Sequence, residues 1–279
     1  MPVGAARGGG VSSTGARLPP HAADTIRTFL RAHGGSRGAT GVVVGLSGGV
    51  DSAVVARLAV DALGPERVLG VLLPDAHVTR ELVEETEGFA RDLGVEHRTI
   101  RIDPLEEGFR VALPELTDRV TLGNTAARIR MTVLYALARE RQRLVAGTGN
   151  KSELLLGYFT KYGDGGVDLL PIGDLYKTDV WALAEELGLP RAIRERPPSA
   201  GFWPGQTDEG ELGCSYVDVD RILRRLERLE REEEIVRATG LPADVVHGIL
   251  QRVEQSRHKR RLAPVAKVGL RTVGLDWRE

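Results

Sequence analysis

The sequence predicts an α/β fold, a doubly wound parallel sheet with helices on both faces, and three observations lead there. Apolar, β-branched runs alternate with segments of helical period from about Thr25 to Arg143. The runs are continuous rather than alternating, as in strands buried on both faces. Two of them break into Gly-rich polar turns, and open α/β sheets bind ligands beyond the carboxyl ends of their strands.

The elements follow in order. Gly41–Leu46 reads as the first strand. Val50, Val54, Leu58, Ala59 and Ala62 then recur at helical spacing, and Gly64-Pro65 stops that helix. Arg67–Leu73 is a second strand with Pro74-Asp75 as its exit. Thr79–Leu93 reads as a helix closed by Gly94, and Val95–Ile102 as a third strand. Thr121–Gln142 is a longer helix with Ala126, Ile129, Val133 and Leu137 on one side, and Arg143–Gly147 is a short strand. Residues 157–176 are Gly-rich and have no helical period, and a loop of that length inside a domain is usually functional or disordered. A helix over Thr178–Leu187, a Pro-rich stretch (Arg196–Pro204) and two helices near Asp218–Thr239 and Pro242–Gln255 complete the chain. The run Arg221–Arg237, with Ile222, Leu226 and Leu229 on one face, reads as a solvated amphipathic helix.

Bulk properties exclude several classes. At 279 residues the chain buries a full core, as one lobed domain or as two. A net charge of −1 argues against nucleic acid as a partner. The single cysteine, Cys214, permits no internal disulfide and fits a reducing compartment. No apolar run approaches the ~20 residues that span a membrane. Met1–Leu18 is rich in Gly, Ala and Ser without the apolar core of a signal peptide, so a disordered tail and a cytoplasmic location are the expectations.

The chemistry concentrates in three segments. Gly45-Leu46-Ser47-Gly48-Gly49-Val50-Asp51-Ser52 directly follows a strand and opens a helix. Unpaired amides at a helix start attract anions, and Gly48 and Gly49 let the main chain approach a phosphate. Ser47 and Ser52 add hydroxyls, and Asp51 places a carboxylate where it can hold Mg²⁺ beside the phosphates. The usual ATPase loop carries Lys at the end of its pattern; here the slot holds Asp, so a different nucleotide chemistry is implied. The second segment, Gly147 to Glu153, sets Thr148 at a strand end and Glu153 in the first turn of a helix. Asp51 with Glu153 supplies the one or two carboxylates that Mg²⁺ usually takes from a protein. The third, Tyr158 to Asp168, is too polar and Gly-rich for a core and suits a loop that orders over a ligand. Lys177 could neutralise phosphate charge, and Ser199 follows the stiff Pro197-Pro198. His258-Lys259-Arg260-Arg261 is a short basic cluster, open to a nuclear-localisation or tail reading and also suited to an anionic ligand such as a dinucleotide.

Together these segments resemble the ammonia-dependent NAD synthetase family over about Gly41 to Pro264. The likeness rests on S-G-G-V-D-S, N-T-A-A-R-I-R-M (124–131), G-T-G-N-K-S-E, G-Y-F-T-K-Y-G-D-G-G-V-D-L-L-P, Q-T-D-E (206–209), L-G-C-S-Y (212–216) and H-K-R (258–260). The resemblance implies a Rossmann-like adenine nucleotide alpha hydrolase fold, a single domain over 19–279 and a homodimer with sites near its interface. It also implies a reaction in which deamido-NAD, ATP and ammonia give NAD, AMP and pyrophosphate. Carried over by position, Gly45 to Ser52, Thr148, Lys177 and Ser199 would contact ATP, while Asp51 and Glu153 would hold Mg²⁺. Arg128, Lys161, Asp168, His258 and Lys259 would contact deamido-NAD, and Asp168 would help to bind or deprotonate ammonium. Ser199 stands where the family usually has Thr, and Gly274-Leu275-Asp276-Trp277 departs from the expected acidic, aromatic tail. No glutaminase domain is visible.

Two other readings compete. A tRNA-modifying relative would want a basic face or an added RNA-binding module. A non-catalytic nucleotide sensor would be expected to lose the carboxylates or the polar loop, yet Asp51, Glu153 and Lys161 are present.

Overall fold

Four parallel strands form the sheet among the described residues, in the order β3-β2-β1-β4. The computed structural model describes residues 18–36, 38–203 and 205–273. Of the N-terminal tail only Leu18 is among them, and it packs against the core; Gly274–Trp277 lies outside them.

Helix α1 (Ala22–His33) leads to β1 (Val42–Gly45), α2 (Val50–Leu63), β2 (Val68–Leu72), α3 (Arg80–Asp92), β3 (Glu96–Thr99), α4 (Asp103–Ala112), α5 (Arg119–Glu140) and β4 (Leu144–Ala146). The strands β1 and β2 are the buried centre. Val42 aligns with Val68 on one side and with Leu144 on the other. Their side chains divide between two apolar clusters: Val42, Val44 and Val68 face α1 and α2, while Val43, Leu69 and Val145 face α5. That division is why β1 reads as an unbroken Val-Val-Val, with each face of the pleat meeting a helix layer. β3 is the edge, and its Glu-His-Arg-Thr sequence keeps it polar. It ends sooner than Ile102, although the Ile100 and Ile102 amides still reach the Leu72 and Pro74 carbonyls.

After β4 come α6 (Lys151–Leu156), the long loop, α7 (Lys177–Glu186), α8 (Arg191–Arg194), α9 (Asp208–Leu212), α10 (Tyr216–Glu227), α11 (Glu232–Thr239) and α12 (Ala243–Gln255). Within the loop Leu169 adds a parallel bridge to Ala146, so the segment runs against the sheet before leaving it. Ile222, Ile235, Val246 and Ile249 form a third cluster with Leu156 and Tyr176, and Trp181 packs against both this cluster and the one over α2.

The single helix expected over Asp218–Thr239 is two. Leu229 takes a left-handed φ of 61° and is 88% exposed, so it leaves the apolar face on which its spacing had placed it. The turn is required because Ile222 and Ile235 are both fully buried in one cluster, which a straight helix would not allow.

Candidate functional site

The loop after β1 is shaped by glycine and closed by two serines. Gly48 has φ +80°, and a Cβ there would stand 2.6 Å from Leu82 Cδ1 and 2.7 Å from Thr86 Oγ1. The Ser47 amide donates to Ser52 Oγ at 3.3 Å, and Ser52 Oγ donates to the Gly49 carbonyl at 2.9 Å. Gly49 is the N-cap of α2 and has no capping side chain, which leaves that helix start open to an anion. Arg196 pins the loop from outside, donating to the Gly48 carbonyl and to Glu85 Oε2.

The second turn meets the first through Asn150. This fully buried residue caps α6: its Oδ1 accepts from the Glu153 amide at 3.0 Å, and Glu153 Oε2 accepts from the Asn150 amide at 3.2 Å. Its Nδ2 donates to Asp51 Oδ1 at 2.9 Å. One amide side chain therefore ties the carboxylate that opens α2 to the one that opens α6, across adjacent strands.

Lys177 completes the cluster. Its side chain is 3% exposed, and its Nζ donates to Asp51 Oδ2 at 2.5 Å and to Glu153 Oε1 at 3.2 Å. Burial alone would lower the pKa of Lys177, but the charges of Asp51 and Glu153 outweigh it and hold the ammonium above its ordinary value. Burial pushes the Glu153 carboxyl up, with Lys177 drawing it back only in part and Asp51 adding to the rise. Asp208 is pushed up by burial as well. Two hard oxygen donors already share one cation here, the ammonium of Lys177, and the chemistry of such a donor set fits Mg²⁺.

A second group of expected residues gathers around the polar loop. Lys161 Nζ donates to the His258 carbonyl at 2.9 Å, and Arg128 Nε donates to the Lys161 carbonyl at 3.3 Å. Lys259 Nζ donates to the Gly157 and Phe159 carbonyls at 2.7 Å each, and burial lowers its pKa. Gly157 permits this approach, since its φ is +66° and a Cβ would lie 2.1 Å from Ser256 Cβ. Arg128, Lys161 and Lys259 thus stand close together as a basic group, with the His258 backbone joined to it.

The remaining expected residues make contacts of their own. Asp168 has both oxygens engaged, Oδ2 by the Val145 amide at 2.8 Å and Oδ1 by the Tyr135 hydroxyl at 3.2 Å. Burial first and then Asp168 push Tyr135 up to about 12. Ser199 is exposed and its Oγ accepts from the Gly201 amide at 3.1 Å. Thr148, half-buried, follows β4.

Sequence reasoning assigned no role to Asn150, Arg196 or Asp208. The Asn-x-x-Glu spacing of a capping box was the signal for the first. No local signal marks Arg196. Asp208 lies in a motif whose role the sequence left blank. Beyond these, a cavity of about 230 Å³ is lined by Asp75, Glu106, Phe109, Arg119, Arg130 and Trp203. Arg130 and Asp75 are paired there at 2.6 Å.

Comparison with known proteins places the chain in a family. The model of a family described as NAD synthase matches residues 22–263. The NH(3)-dependent NAD(+) synthetase of Methanosarcina mazei is 49% identical over 251 residues, covering 89% of this chain and 98% of that protein. An NMN synthetase structure from Francisella tularensis is similar at TM-score 0.79 and 36% identity, covering 88% of this chain and 97% of its own. An NH3-dependent NAD synthetase from Campylobacter jejuni, solved with the nitrate ion, is similar at TM-score 0.75 and 32% identity, with the same coverage.

Proposed function

The chain belongs to the NAD synthase family, and from that premise we propose that it amidates deamido-NAD with ammonia, splitting ATP into AMP and pyrophosphate. The observation that carries the proposal is the convergence of Asp51, Glu153 and Lys177 beside the open start of α2.

The nicotinate carboxylate resists ammonia because its oxygen is a poor leaving group. Its attack on the α-phosphorus forms an acyl–phosphate bond and breaks the bond to pyrophosphate. Ammonia then attacks the acyl carbon, the bond to AMP breaks, and the nitrogen sheds a proton. The protein's share is positioning and charge. The α2 amides and the Ser47 and Ser52 hydroxyls would hold the phosphates. Asp51 and Glu153 would hold Mg²⁺, which when bound neutralises phosphate charge. Lys177 would add a cation facing the phosphates, and Thr148 and Ser199 would contact ATP. The basic group of Arg128, Lys161, His258 and Lys259 suits the dinucleotide's phosphates, and Asp168 its polar atoms. The 230 Å³ cavity offers aromatic and cationic walls to a ring.

The protein acts as a homodimer in this account. Leu105, Phe109 and Val111 on α4, with Leu113 and Val120 beyond it, are 39–74% exposed and form the apolar patch that supports it. A cytoplasmic location fits the single cysteine, and among the described residues no helix is long and apolar enough to cross a membrane.

The likeness to an NMN synthetase favours a second acceptor, the nicotinate mononucleotide. Purified protein with MgATP and ammonium, offered each acceptor separately, decides between them. Equimolar NAD and AMP from deamido-NAD support the proposal. A higher kcat/KM for the mononucleotide selects the second reading, and AMP without an amidated product rejects both.

A further inference from the structure

Among the described residues two buried side-chain polar atoms lack a hydrogen-bond partner, Arg143 Nη1 and Asp208 Oδ1. A buried carboxylate oxygen without a donor is costly, so the second calls for a physical reason. Asp208 is 4% exposed. Its other oxygen, Oδ2, accepts from the Tyr216 hydroxyl at 3.0 Å. Tyr216 is fully buried and has the Lys177 ammonium 5.3 Å from its ring centroid. One aromatic ring therefore stands beside both groups, the cation near its centroid and the carboxylate at its hydroxyl.

Lys177 Nζ occupies the position between Asp51 and Glu153. A divalent cation held by both carboxylates needs that position, and two cations cannot share it. Metal binding must displace the ammonium, and an ammonium leaving two carboxylates inside a protein needs another acceptor. The flexible four-carbon stem of lysine can swing between acceptors without the backbone moving.

We infer that Asp208 is a positioning residue whose free oxygen receives the Lys177 ammonium when a divalent cation takes Asp51 and Glu153. The transfer keeps the lysine charge inside the site, facing the nucleotide's phosphates, while the metal takes its former place. The two charges already act on each other: Lys177 draws the Asp208 carboxyl down against its burial, and Asp208 adds to the rise of Lys177. This explains why a carboxylate from Q-T-D-E stays buried with Oδ1 lacking a hydrogen-bond partner, beside a Tyr158 hydroxyl that also draws the carboxyl down. It rests on the proposed function for the metal and the nucleotide.

The test is Mn²⁺ binding to the full chain, followed by electron paramagnetic resonance with α,β-methylene ATP present. Asp208→Asn should weaken Mn²⁺ binding by about tenfold, and Asp208→Glu should stay within about threefold of the wild type. In a Lys177→Gln background no ammonium needs a new acceptor, so Asp208→Asn should change binding less than about twofold. A purely structural Asp208 would lower melting temperature in both backgrounds without this dependence on Lys177. Equal weakening in both backgrounds, or none in the wild type, overturns the inference. If Lys177→Gln does not fold, the Asn and Glu variants decide, and equal loss in both overturns it. Wild-type protein that binds no Mn²⁺ at all would remove the metal reading itself, a failure distinct from that of Asp208.

Discussion

Replacing Lys177 by Met should destabilise the ligand-free protein by about 3–5 kcal/mol at pH 7.5, the usual cost of stripping one partner from a buried ion pair. The structure sets the sign and size. The lysine side chain is 3% exposed, and the carboxylates it holds are 16% and 17% exposed, so water screens little of what remains. Without the ammonium, Asp51 and Glu153 repel each other once both are ionised, and unit charges ~4 Å apart at an effective dielectric near 20 interact by about 4 kcal/mol. The loss should shrink on acidification. Glu153 has its pKa raised in the folded state, so its protonated form favours folding, and that stability is present below the ordinary 4.5 and lost as pH rises from there through the folded value of about 8. Urea denaturation of wild type and variant across pH 5.5 to 9, a range that brackets the folded value of about 8, measures both effects. Glu153→Gln is the control: it leaves a neutral Asp51–Lys177 pair and should cost under about 1 kcal/mol while abolishing turnover. A Lys177→Met loss below about 1 kcal/mol, or one that does not vary with pH, would refute the reasoning.

Three further outcomes follow from the site and the surface. Gly48→Ala forces a side chain into a left-handed backbone 2.6 Å from Leu82, and should cost about 1–3 kcal/mol by thermal melting and raise KM for ATP. Lys161→Ala should raise the apparent KM for deamido-NAD about tenfold and leave that for ATP within about twofold, as steady-state kinetics can check. Phe109→Glu places a charge in the exposed apolar patch and should shift the protein from dimer to monomer in light scattering at micromolar concentration.

The legible part of the fold was the part written locally. Val42-Val43-Val44 followed by Gly and Ser and then a helical period specifies strand, turn and helix within a dozen residues, and β1, the loop and α2 stand there. Glu153 was equally visible, since the first turn of a helix after Asn is a capping position. Lys177 was named as a cation for phosphate, but its burial was not legible, because that depends on Asp51, 126 residues away in sequence, and a lysine in isolation reads as surface. Arg196 reaches the Gly48 carbonyl over an even longer separation. The break at Leu229 escaped detection because its spacing continued the apolar face, and only the need to fold Ile235 back onto Ile222 ends the helix. Helix α4 carries exposed Leu105, Phe109 and Val111, and none of its residues is buried among the described residues.

The most direct test of the site as an adenylylating centre is isotope transfer. Deamido-NAD labelled with ¹⁸O in both carboxylate oxygens, turned over with ATP and ammonium, should deliver one ¹⁸O to each AMP and keep the other in the NAD amide. Unlabelled AMP, or label in pyrophosphate, would contradict attack of the carboxylate on the α-phosphorus and with it the role assigned to the Asp51, Glu153 and Lys177 cluster.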